Sequence, residues 1–136
     1  MKTTLQAGIA VRREFPVDAA RTIDFMGEDA RVYATPMLVR DIEVTCRELL
    51  LAHLDPGEDS VGTRVEIDHL AATLLGMKVT ISATLAELKG RAAVFEVSAT
   101  DGVDTICRGR HTRFIASIEQ VKQRLKQKQA KAQVPA

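Results

Sequence analysis

No Cys/His cluster with metal-ligand spacing, no glycine-rich phosphate loop and no nucleophile elbow occurs in this sequence. The familiar signatures of metal, nucleotide and serine-hydrolase chemistry are therefore missing, and no metal or resident cofactor is expected. Cysteine occurs twice, as Cys46 and Cys107. Without an export signal these read as two unpaired core thiols. Neither sign of charge is in excess: 19 Lys and Arg stand against 18 Asp and Glu, a net +1. That balance gives no argument for nucleic acid or an acidic partner. No apolar run suits a membrane span, and Met1-Lys2-Thr3-Thr4 carries no signal-peptide pattern, so a cytoplasmic protein is expected. What the chain does have is apolar content, 46% of 136 residues. That is enough for one folded domain with a real core.

The stretch from Tyr33 to Leu54 reads as one long helix. Thr35 before Pro36 is its start signal, because Thr accepts from free backbone N–H groups and Pro suits a first turn. Asp55-Pro56-Gly57 is its stop. Its apolar residues run from Met37 through Leu54 without keeping to one stripe, which predicts burial on most sides. At roughly 1.5 Å per residue the segment is about 30 Å long, enough to cross a small domain. Glu43 sits in its first half, after Arg40 and Asp41.

Strands surround this helix. Gly8 to Val17 is a first strand, with Pro16 marking an edge. Asp18 to Val32 is a short helix around Thr22–Met26 or an irregular crossing, with a loop at Gly27-Glu28-Asp29. Beyond a turn at Glu58-Asp59-Ser60, the residues Val61, Thr63, Val65, Ile67 and His69 alternate with polar neighbours and predict an apolar strand face. Val79, Ile81, Ala83 and Leu85 define a second such face; Ala93, Phe95, Val97 and Ala99 define a third. Asp101-Gly102 signals a hairpin into a last strand, Thr105 to Ala116, which Arg108, Arg110, His111 and Arg113 interrupt. Short turns make antiparallel neighbours. A sheet with one apolar face needs a cover, and the long helix is the only large candidate. The expected class is α+β, a hotdog fold: a curved antiparallel sheet wrapped around one helix, spanning residues 1–118. Residues 119–136 form a basic helical tail. Its Ile118, Val121 and Leu125 predict a thin docking stripe, and it lacks the aromatics that base stacking needs. Exposed sheet edges are commonly managed by pairing, so a homodimer is expected.

Three side chains stand out by environment. Glu43 is an acid on a mostly apolar helix; its plain alternative is a surface pair with Arg47. His69 falls on an apolar strand face, and Thr35 begins a helix; a satisfied core histidine and an ordinary cap are the plain alternatives. Together they describe acyl transfer to water. A helix N-terminus polarises a carbonyl oxygen. A carboxylate attacks that carbonyl or deprotonates water, and a histidine moves the proton. One geometric condition follows. In an unbroken helix Glu43 lies about 12 Å beyond Thr35. Either the helix starts near Leu38, or Thr35 acts through the substrate or another chain.

Several stretches taken together resemble one family. These are Ala34-Thr35 with Glu43 eight residues on, Leu54-Asp55-Pro56-Gly57-Glu58, and Gly62-Thr63 leading to His69. Further along come Ala71-Ala72-Thr73, Val97-Ser98-Ala99, Asp101-Gly102-Val103-Asp104 and Gly109 to Arg113. From Tyr33 to about Ile118 the chain resembles the fluoroacetyl-CoA thioesterases, hydrolases of the hotdog fold. The resemblance implies Thr35, Glu43 and His69 as catalytic residues. It implies Gly62, Arg113 and Tyr33 as substrate-binding ones, and the CoA thioester of a small acyl group as the substrate, with coenzyme A present only as part of it. It also implies a homodimer with sites near the subunit interface, and no nucleic acid or membrane partner. The segment Phe25 to Tyr33 is shorter and less aromatic than the one associated with a lid in the fluoroacetyl-CoA enzyme. Pro36 stands where that enzyme has glycine. The hydrolytic layout therefore carries across, and fluoroacetyl selectivity does not. The rival class is a hotdog module that holds an acyl-CoA or another hydrophobic ligand without turnover.

Overall fold

The computed structural model describes residues 1–133. Five strands form one antiparallel sheet: β1 (Ala10–Pro16), β2 (Glu58–His69), β3 (Lys78–Lys89), β4 (Ala92–Thr100) and β5 (Thr105–Ser117), in the order β1-β3-β4-β5-β2. Helix α1 (Thr35–Leu51) packs against β1, β2, β3 and β5, and α2 (Ile118–Ala132) follows β5 directly. This is the expected hotdog arrangement. The period-two runs of β3 and β4 put Val79, Ile81, Ala83, Leu85, Ala93, Phe95, Val97 and Ala99 in the core. They meet Leu38, Ile42, Cys46 and Leu50 of α1. Each large aliphatic or aromatic side chain buried in this way contributes roughly 1.5–3 kcal/mol. Cys46 and Cys107 are free and buried, as the sequence predicts.

Helix α1 departs from expectation in two ways. Its buried positions, Leu38, Asp41, Ile42, Thr45, Cys46 and Leu50, form one stripe rather than covering most sides. They follow the three-to-four spacing of a single helical face, while Arg47 and Glu48 are exposed. Asp41 in that stripe is 0% exposed. Its carboxylate accepts from Arg21 Nε at 2.9 Å and Nη2 at 3.2 Å, and from the Tyr33 hydroxyl at 2.6 Å. Burial and the Asp41 carboxylate push the phenol far above its ordinary range, which keeps it a donor. These bonds order the stretch the sequence leaves illegible. It is an irregular crossing with two single 3-10 turns, Ala19–Arg21 and Glu28–Ala30. Bridges from Thr22 to Tyr33 and from Val32 to Leu74 hold it down. No helix forms over Thr22–Met26.

Strand β2 also departs. It begins at Glu58, inside the expected turn, and a bulge between Gly62 and Arg64 shifts its register against β5. One extra residue reverses the side-chain alternation. Ser60 is therefore buried in place of Val61, which is 53% exposed, and Thr63 is exposed as well. Val65 is also exposed, because β2 is a sheet edge that α1 does not fully cover. Pro16 on β1 marks the opposite edge, as expected. The tail forms α2, capped by Ser117 Oγ on the Gln120 N–H at 3.4 Å. No α2 residue is buried, and Ile118 and Leu125 are exposed, so the predicted docking stripe is not used within the chain. Residues 134–136 of the expected tail lie outside the described ones. No helix among the described residues is long and apolar enough to cross a membrane.

Where β5 passes β2, a Cβ on Gly109 would stand 2.1 Å from Glu66 O and 2.6 Å from Ile67 Cα. Those are backbone atoms that cannot swing aside. Gly109→Ala is expected to cost about 2–3 kcal/mol by prising β2 from β5. Urea denaturation checks this, and an unchanged midpoint contradicts it.

Candidate active site

Two clusters of functional groups form, one at each end of the inner face of β2. The first lies at the start of α1. Ala34, not Thr35, occupies the helix cap, and it makes no side-chain cap bond. Pro36 has no N–H, and Met37 and Leu38 both donate to Ala34 O at 3.0 Å. The Thr35 N–H is the first-turn amide left without an acceptor among the described residues. Relieved of capping, the Thr35 hydroxyl instead meets His69 Nδ1 at 2.7 Å. The other ring nitrogen, His69 Nε2, is buried and has no hydrogen-bond partner among the described residues. Burial lowers the His69 pKa from 6.5, which favours the neutral ring. Tyr33 packs edge-on to that ring, with centroids 6.3 Å apart. Thr35 and His69 open into a cleft of about 450 Å³ between the 22–34 crossing and residues 70–72.

The second cluster surrounds Glu43, two helical turns further on. Its side chain is 40% exposed and lies over Gly62. A Cβ on Gly62 would fall 2.2 Å from Glu43 Oε1 and 3.1 Å from His111 Cε1. Arg113 on β5 is 5% exposed, with Nη1 3.8 Å from Glu43 Oε1. It donates through Nε to Ser60 Oγ at 2.7 Å, through Nη2 to Ser60 O at 2.8 Å, and through Nη1 to His111 Nε2 at 3.2 Å. An accepting Nε2 requires a neutral His111 with its proton on Nδ1, which donates to Arg64 O at 2.8 Å. Burial lowers the His111 pKa and so supports that form. Arg113 thus gives the carboxylate a positive counterpart, and His111 and Ser60 fix where that charge points.

The candidates are therefore brought together in two groups. Thr35 pairs with His69, and Glu43 joins Gly62 and Arg113. Because α1 runs unbroken from Thr35, its rise keeps Thr35 and Glu43 about 12 Å apart along the axis, and a later start near Leu38 is ruled out. Arg47 does not pair with Glu43. It binds Asp59 at 3.0 and 2.7 Å. Tyr33 lines the cleft with its ring, while its hydroxyl is committed to Asp41. His111 and Ser60 are the members that motif reading overlooks. The alternation of β5, which turns Cys107, Gly109, His111 and Arg113 to one face, carries the signal for His111.

This arrangement coincides with sequence evidence. The model of the family described as fluoroacetyl-CoA-specific thioesterase matches residues 17–119. The chain belongs to that family. It is 33% identical over 135 residues to the fluoroacetyl-CoA thioesterase of Streptantibioticus cattleyicolor, across 94% of this chain and 97% of that protein. A point mutant of the fluoroacetyl-CoA-specific thioesterase, in complex with fluoroacetate and CoA, superposes with a TM-score of 0.80. It is 33% identical, over 86% of this chain and 99% of the other. A Thermus thermophilus protein described as a thioesterase superfamily member superposes with a TM-score of 0.87 at 26% identity, over 98% and 99% of the two chains. The thioesterase assignment thus rests on sequence and fold together.

In this thioesterase Gly62→Ala is expected to lower the melting temperature only slightly, because the nearer atom in the way ends a flexible side chain and the His111 ring need give by only a few tenths of an ångström. Displacing the Glu43 carboxylate is expected to lower kcat/KM about a hundredfold, measured as free-thiol release from an acyl-CoA. A melting temperature that falls while activity holds contradicts this. A second prediction concerns pH. A His69 that relays a proton in the reaction must start neutral, and burial holds its pKa below 6.5. Activity is then retained at pH 7 and lost as pH falls, with the midpoint of the acid limb of kcat/KM below 6.5. A midpoint above that value contradicts the assignment.

Proposed function

We propose that the protein hydrolyses an acyl-CoA thioester to the free acid and CoA, at a site completed by a second copy of the chain. The observation that carries this reading is the division of functional groups along β2. Gly62, which Glu43 overlies, and His69, which Thr35 meets, stand seven residues apart on one edge strand. That edge has no partner strand among the described residues, and Val61 and Val65 are exposed on it. Antiparallel pairing of β2 with its copy, about an axis between Val65 and Glu66, sets Gly62 of one chain near His69 of the other. Glu43 of one copy then faces Thr35 and His69 of its neighbour, and each dimer holds two sites.

In this arrangement the thioester carbonyl lies at the start of α1. The Thr35 N–H and hydroxyl stabilise the charge that develops on its oxygen. Glu43 takes a proton from water, and the resulting hydroxide attacks the carbonyl carbon. As the tetrahedral intermediate collapses, the C–S bond breaks and the sulfur leaves with a proton passed on by His69. The alternative course has Glu43 attack the carbonyl directly and expel the CoA sulfur, which takes a proton through His69, leaving an anhydride that water then cleaves to the acid and the restored carboxylate. Arg113 serves either course by orienting the carboxylate. The buried, unpartnered Nε2 of His69 supports the reading, since such an atom suits a proton relay to a bound group.

Glu43→Gln removes the base and keeps the shape. It is expected to lower kcat by about a thousandfold, within the usual range for acid–base catalysis. Full activity in that variant rules out both courses. The shared site has its own test. Thr35→Ala and Glu43→Gln proteins, each inactive, are mixed under conditions that exchange subunits. Random reassortment of a two-fold dimer restores about a quarter of the wild-type sites. No recovery in proven mixed dimers shows that each site lies within one chain.

A further inference from the structure

We infer that the acyl group this enzyme accepts is uncharged and apolar, an aliphatic or phenyl-bearing chain of medium length, seated in the cleft beside Thr35 and His69. The inference rests on the hydrolase reading above and names its substrate class.

The cleft wall carries it. None of the side chains lining the cleft bears a formal charge, with His69 held toward its neutral form by burial. Apart from the Thr35 N–H and His69 Nε2, which the proposed reaction uses, the polar groups are already engaged. Thr35 and His69 bind each other, and the Tyr33 hydroxyl donates to Asp41 behind the wall. What remains facing the space is hydrocarbon, chiefly Ile23, Phe25, Val32 and Leu70. A carboxylated acyl group entering there would lose water and find no cation on the cleft wall, and the Arg113 that accompanies a neighbouring copy's Glu43 is already held by Ser60 and His111. The volume, about 450 Å³, is within the range of pockets that hold whole small ligands, far more than a two-carbon acyl group fills.

Two of the wall residues lack cover of their own. Phe25 is 78% exposed and Leu70 is 55% exposed, both at the cleft. Large apolar side chains left in water beside a catalytic pair gain by burial against an apolar ligand. The wall is also ordered. Arg21 and Tyr33 anchor the 18–34 crossing to the buried Asp41, and the Val32–Leu74 bridge ties it to the far side. The cleft is therefore formed before the ligand arrives, so little binding energy is lost to ordering it.

Steady-state thiol release is measured on acetyl-, fluoroacetyl-, butyryl-, hexanoyl-, phenylacetyl- and succinyl-CoA. Wild type and Phe25→Ser are compared, with melting temperatures confirming that the exposed substitution leaves the fold intact. Each methylene from acetyl to hexanoyl is expected to raise kcat/KM about fourfold, the value of one buried methylene. Phenylacetyl-CoA is expected to be a substrate and succinyl-CoA a poor one. Phe25→Ser is expected to lower the hexanoyl-to-acetyl ratio roughly tenfold, and Phe25→Leu to restore most of it. Turnover that is flat with chain length, that favours fluoroacetyl- or succinyl-CoA, or whose ratio is untouched by Phe25→Ser overturns the substrate class and leaves the hydrolase standing. No turnover on any thioester overturns both.

Discussion

A continuous α-helix cannot fold back on itself, and that constraint governs this site. Residues eight apart on one helix are separated by about 12 Å of rise, so Thr35 and Glu43 cannot meet on the same carbonyl within one chain. The helix runs without a break from Thr35 to Leu51, and what begins it so early is tertiary. Arg21 and Tyr33 reach the buried Asp41 one turn and a half inside α1. Tyr33 immediately precedes the Ala34 cap, so its hydroxyl bond pins the chain at the point of entry. A start near Leu38 would swing Tyr33 away from Asp41 and leave a buried carboxylate short of a donor, at a cost of several kcal/mol. The separation of Thr35 and Glu43 is thus a consequence of an anchor that touches neither of them.

That anchor is not an evident source of net stability. Burying an ion pair costs desolvation that its attraction only partly returns. What it does supply is definition. The 18–34 crossing contains no long element, only two 3-10 turns and two isolated bridges. Without Asp41 the crossing would have little to choose one position over another. With it, the same residues that hold the helix start also form one wall of the cleft beside His69. One buried carboxylate in a largely apolar helix stripe therefore positions both Thr35 and the wall of the cleft beside it.

The sequence discloses the sheet more readily than the site for a physical reason. From Val79 to Leu85 of β3 and through β4 every second residue is apolar and buried, so the period alone assigns the face. In β2 the pattern reads just as cleanly and misleads, because the bulge at Gly62–Arg64 reverses the face, and a bulge has no periodic signature. Helix α1 looks apolar all round because Val39, Val44 and Leu51 lie off its buried stripe. Thr35 matches the chemistry of a cap, yet its hydroxyl finds a histidine instead. The crossing is illegible because Arg21, Asp41 and Tyr33 act across a distance that no local rule spans. Glu43 and His69 can be picked out singly, as polar groups in apolar surroundings. Their grouping cannot, since it depends on the helix start and on which residues of β2 face inward.

The edge position of β2 links these points. An unpaired edge with exposed valines is a hazard that proteins usually blunt with charge, proline or a short length. Here the edge is twelve residues long, and it carries Gly62 beneath Glu43 and His69 beside Thr35. Such a strand is better explained as half of an interface than as a tolerated defect. In the proposed dimer the bulge gains a purpose as well. It turns Gly62 inward, making room for the Glu43 carboxylate, and it sends Val61 to the opposite face. Glycine at that point is then needed for two reasons at once: a side chain would displace the carboxylate, and it would crowd His111, which holds Arg113 in place. Catalysis and assembly would share one strand, so a protomer that failed to pair would present two incomplete halves of a site and no whole one.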